Sequence, residues 1–189
     1  MKTVMVSRYH PLLVTLHWLL AVLIVAMLCV GFLLAASMPN TDPQKIGVLL
    51  LHMAGGMLVL ALMVVRFIVR MRISRPANAT TGYPLLDRLA PITHYGFYVL
   101  VLLMAATGYA TAILAGLNRS VFQGSGDPLP PHFSVYPSFV AHGMLAALLA
   151  GLIILHVLAA LFHQFVLKDG LLRRMSFGPR GPKSSAQAE

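Results

Sequence analysis

The chain has 189 residues, of which 58% are hydrophobic and only 10% charged, with a mean hydropathy of +0.81. That balance excludes an ordinary water-soluble domain and points to a protein that lives in a bilayer. The formal charge of +9 does not point to nucleic acid, because the basic residues lie between apolar runs rather than on one soluble face.

Four apolar segments follow in chain order, at 12–36, 46–69, 91–115 and 138–167. Each exceeds the roughly 20 residues that a helix needs to cross the hydrocarbon core. The first, with Lys2 and Arg8 before it, has the outline of a secretory signal. Its apolar run is longer than the usual stretch of about 7–15 residues, so it reads as a retained helix. The connectors are polar or rich in Pro and Gly: MPNTDPQK at 38–45, a basic stretch with PANATTG at 70–88, and a loop with GSGDPLPP at 116–137. None of these continues a helix throughout. Residues 1–175 therefore read as one all-α, four-helix transmembrane domain, and 176–189 as a disordered polar tail.

Four spans put both termini on one side. That side carries Lys2, Arg8, Arg66, Arg70, Arg72, Arg75, Arg88, Lys168, Arg173, Arg174, Arg180 and Lys183. The other carries Lys45 and Arg119, balanced by Asp42 and Asp127. The asymmetry predicts that the termini and the central connector face the cytoplasm, with added attraction to anionic lipid. The single cysteine, Cys29, lies inside an apolar run. It excludes an intrachain disulfide and a CxxCH haem attachment.

Ionisable residues inside membrane helices are costly and mark function. The fourth segment carries His142, His156 and His163. At 100° per residue they share one stripe, and His142 and His156 are roughly 21 Å apart along the axis. By depth, His52 pairs with His142 on the outer side and His17 with His156 on the inner side. Such pairs can ligate two b-type haems, each iron between two imidazoles. A zinc or copper site would need further ligands, and a proton relay would need carboxylates. The acids Asp42, Asp87, Asp127, Asp169 and Glu189 all fall in connectors or flanks by this reading. Haem is thus the favoured occupant.

Gly55, Gly56, Gly108 and Gly143 would let backbone approach a flat plate, or would simply serve helix packing. His94 and His163 are candidates for a haem propionate contact or for quinone protonation. Arg66 and Arg70 either snorkel to the interface or pair with a propionate. His10 and His132 read as solvated loop residues, and Tyr9 and Trp18 as interface anchors.

The ordered pieces RYHPLLVTLHWLL, LLHMAGGMLVLALMVVRFIVR and THYGFYVLVLLMAATGY, with H-x13-H-x6-H and VLKDGLLRRM in the last span, resemble the bacterial cytochrome b561 family. That family is related to the b-type cytochrome subunit of nickel hydrogenases. The resemblance runs over roughly 8–175 and rests on the ordered set rather than on any single motif. It implies two haem b groups on His17, His52, His142 and His156, electron transfer across the bacterial inner membrane, and ubiquinone as partner. Some members resemble superoxide oxidases, which implies superoxide or another periplasmic donor as the source of electrons. The balanced charge of the outer connectors argues against a strong steering field for an anion. Two alternatives remain at this stage: a membrane anchor passing electrons for a separate dehydrogenase or hydrogenase, and a non-redox metal-binding membrane protein.

Overall fold

The computed structural model describes residues 8–74, 76 and 83–178. Lys2, Arg75, Arg180, Lys183 and the tail from 179 onward lie outside the described residues. Four long helices form the body: α1 (Pro11–Cys29), α2 (Lys45–Arg72), α3 (Pro84–Leu114) and α4 (Pro137–Phe162). A short α5 (Leu171–Arg174) follows. π-helical turns extend α1 over Val30–Ala35 and α4 over His163–Leu167. All four long helices are long and apolar enough to cross a membrane, and no strand occurs among the described residues. The molecule is an all-α, four-helix transmembrane bundle.

The helix starts follow local chemistry. Pro occupies the first turn of α1, α3 and α4, where its missing amide costs nothing. His10, expected in a solvated loop, is the N-cap of α1, its Nδ1 accepting from the Leu12 amide at 3.2 Å. The third helix begins at Pro84 rather than at 91. Asp87 falls in its first turn and complements the positive helix end, so Pro91 becomes an interior proline. The polar composition of the preceding connector hid this extension.

Sequence neighbours pack in turn, α1 on α2, α2 on α3 and α3 on α4. The chain's two described ends meet at one end of the bundle. There the Tyr9 amide donates to the Arg174 carbonyl at 3.0 Å, and Trp18 Nε1 donates to the Met175 carbonyl at 3.0 Å. Arg8 Nη1 donates to Ser176 Oγ and to the Phe177 carbonyl, both at 2.9 Å.

Two apolar clusters order the interior. Leu20, Ile24, Val59, Met63, Leu100, Val101 and Leu149, drawn from all four helices, form a middle layer. Leu49, Ala112, Leu117, Val121 and Phe133 close the end opposite the termini. Asn40 Nδ2 joins the two connectors there by donating to the Pro130 carbonyl at 2.6 Å. Much of the remaining apolar surface, such as Val22, Leu33, Met144 and Ile154, is exposed, as a lipid-facing surface requires.

Candidate functional site: two histidine pairs

The middle layer separates two histidine pairs. On each helix its residues fall between the positions that build the two sites: Leu20 and Ile24 between His17 and Gly31, Val59 and Met63 between His52 and Arg66, and Leu149 between His142 and His156. The imidazoles of His52 and His142 face each other with ring centres 6.0 Å apart, toward the end opposite the termini. Those of His17 and His156 face each other at 6.2 Å, toward the termini. All four rings are half-buried.

At the opposite end, each ring leans on a glycine. A Cβ at Gly31 would come within 3.2 Å of His52 Cε1, and one at Gly108 within 3.1 Å of His142 Cε1. The ring of His142 is held by its Nδ1, which donates to the Met104 carbonyl at 3.0 Å and lies 3.3 Å from Thr107 Oγ1. That fixes the proton on Nδ1 and leaves the Nε2 lone pair for a metal. His52 Nδ1 faces the Met27 carbonyl without closing a hydrogen bond of good geometry. Gly31 belongs to the π-helical turn Val30–Ala35, a distortion that recurs at functional sites.

The other sequence candidates divide. His94 joins the termini-end pair, its ring centre 5.7 Å from that of His156, with Nδ1 donating to the Ala90 carbonyl at 2.7 Å. Arg66 points inward, Nη2 lying 3.4 Å from His17 Nδ1 and Nη1 donating to Tyr98 Oη at 3.3 Å. Arg70 follows one turn later on the same helix. His163 turns instead to the α4–α5 turn, where Nδ1 donates to Asp169 at 2.6 Å. Gly55 packs against Met27, while Gly56 and Gly143 have open space before them. Tyr98, Gly31 and the Met104 carbonyl were not singled out by sequence reasoning, since which helix faces which ring is set only by packing. The HWLL and HYGFY segments hold no local trace of it.

The arrangement fits a flat metallocofactor with two axial ligands. Two imidazoles sharing one metal through nitrogens at about 2 Å bring their ring centres to roughly 6 Å, the spacing found at both pairs. A bare zinc or copper ion would lack further protein ligands, because no group of three or more His, Cys, Asp or Glu suited to a metal occurs among the described residues. A haem brings its own equatorial nitrogens and needs only the axial pair.

These features suit a membrane cytochrome of b type. The family model described as prokaryotic cytochrome b561 matches residues 8–178. The chain belongs to the prokaryotic cytochrome b561 family, as the sequence motifs led us to expect. It is 27% identical over 181 residues to a probable superoxide oxidase CybB of Yersinia pestis, covering 93% of this chain and 99% of the relative. It is 31% identical over 171 residues to cytochrome b562 of Cereibacter sphaeroides, covering 88% and 94%. Cytochrome b561 homolog 2 of Escherichia coli is 28% identical over 173 residues, covering 89% and 91%.

Proposed function

We propose that this chain holds two haem b groups, one on His52 and His142 and one on His17 and His156, and carries electrons across the bacterial inner membrane to ubiquinone. The observation that supports this most is the presence of two facing imidazole pairs at two depths with an apolar layer between them. Bound haem supplies a one-electron couple at each depth. The chain's own residues hold and orient it. His142 is fixed by Met104 and Thr107, Gly31 and Gly108 leave room at the rings, and the middle layer excludes water between the sites.

The excess of basic residues at the termini end supports a cytoplasmic position for that end. The His52–His142 pair then faces the periplasm. Superoxide is the donor we propose, in keeping with the relative from Yersinia pestis. Two superoxide anions each give up one electron to become oxygen, and one quinone takes both electrons with two protons to become quinol. With two imidazoles facing each other at each site, a bound haem would be held by two protein ligands and would exchange electrons through the protein surface rather than by binding oxygen species. The periplasmic end offers no strong cationic funnel. Lys45 is buried there, donating from Nζ to the Ala35 and Met38 carbonyls, while Arg119 is exposed.

The test is stopped-flow absorption of the detergent-purified protein mixed with superoxide, then with a soluble ubiquinone. Reduction of the b-type bands by superoxide, blocked by superoxide dismutase, and reoxidation by quinone are expected. Bands that superoxide leaves oxidised would remove superoxide from the proposal. Reduction only through a copurifying dehydrogenase would move the chain to the anchoring role.

A further inference from the structure

The two histidine pairs differ in what their ring nitrogens touch. At the end opposite the termini, His142 Nδ1 gives its hydrogen bond to a carbonyl, that of Met104. At the termini end, His17 Nδ1 lies 3.4 Å from Arg66 Nη2. A guanidinium has five donors and no acceptor, and it stays charged. His17 therefore meets a fixed positive charge where His142 meets an acceptor.

That charge is held in place by the protein. Arg66 Nη1 donates to Tyr98 Oη, and the guanidinium carbon lies 5.8 Å from the centre of the Tyr98 ring. Its Nε is buried without a hydrogen-bond partner, and no Asp or Glu pairs with it among the described residues. At the other end the buried cation Lys45 is spent on two carbonyls. It lies seven residues before His52, roughly 10 Å along the helix axis.

Both differences act on a bound haem in the same direction. A ligand imidazole that donates to a carbonyl is more basic and favours the ferric state. A positive charge beside a ligand favours the state with one more electron. Resting on the two-haem reading above, we infer that Arg66 is a positioning residue for electron flow. It holds the termini-end haem at a higher midpoint potential than the opposite-end haem, so that electrons run downhill from His52–His142 toward His17–His156.

The test is potentiometric titration of the purified holoprotein, with the two midpoints assigned by His52→Ala and His156→Ala. The termini-end midpoint should lie above the other. Arg66→Met should lower that midpoint alone and narrow or reverse the gap, while Arg66→Lys should keep it near the parent value. A lower termini-end midpoint in the parent would overturn the inference. So would an Arg66→Met protein with both midpoints unmoved, or with both moved alike. If Arg66→Met does not retain the second haem, Arg66→Gln removes the charge while keeping a polar side chain, and the same expectations apply. A parent protein without haem would sink the two-haem reading itself, whereas two haems with a reversed gap would sink only this inference.

Discussion

Gly108 on α3 lies against the imidazole of His142 on α4, so that a Cβ at residue 108 would sit 3.1 Å from Cε1 and 3.3 Å from Nδ1. The ring has little freedom to retreat, because Nδ1 is tied to the Met104 carbonyl at 3.0 Å. Overpacking of this kind costs about 1–3 kcal/mol, which is roughly 5- to 150-fold in an equilibrium constant. Gly108→Val should therefore weaken haem retention at the opposite-end site by about that factor, and Gly108→Ala by less. Haem content after detergent dialysis measures it. Retention equal to the parent would show that the ring does not need the glycine.

Lys45 is only 2% exposed and closes the carbonyl end of the first span, with Nζ donating to the Ala35 and Met38 carbonyls. A cation at a helix C-terminus is favourable, and the two carbonyls lose their partner without it. Lys45→Met should destabilise the bundle by about 2 kcal/mol, counting about 1 kcal/mol for each half-buried acceptor left unpaired. Thermal unfolding in detergent, followed by circular dichroism, should show a lowered Tm. An unchanged Tm would mean that water takes over both carbonyls.

The four spans and the depth of each histidine were legible in the sequence, because both depend on local hydrophobicity and on the helical repeat. His52 with His142 and His17 with His156 could be matched by counting residues from the polar connectors. Rotation of one helix against another could not be counted. The contact of Arg66 with His17, the glycine under each ring at the opposite end and the burial of Lys45 all depend on it. Arg66 is instructive: a charge near a helix end reads as snorkelling outward, yet it turns inward, Nη1 donating to Tyr98 Oη and Nη2 lying beside His17 Nδ1. The start of α3 was hidden for another reason, since an apolar-run criterion does not see the amphipathic turn PLLDRLA.

Asp169 gives a pH handle on the clasp at the termini end. Burial alone would raise its pKa. The hydrogen bonds from His163 and from the Leu171 amide, with Arg174 nearby, outweigh that and hold the carboxyl below its ordinary value. A depressed folded-state pKa contributes stability that is fully present above the unfolded value of about 4. It is lost as pH falls through the lower folded value. The α4–α5 turn should therefore loosen only under acid conditions. Trp18, the chain's single tryptophan, donates to Met175 in the same clasp, so its fluorescence should shift as the pH drops below about 4. In Asp169→Asn the acid-dependent step should vanish, and its persistence would assign the step to another group.

The most direct measurement is the haem content per chain of the purified protein, with a reduced-minus-oxidised spectrum, across four single variants. The account predicts two b-type haems in the parent. His52→Ala and His142→Ala should each lose about one haem, the same spectral component in both cases, and His17→Ala and His156→Ala should each lose the other. A parent with one haem or none would contradict the account, as would variants whose losses group in any other pairing.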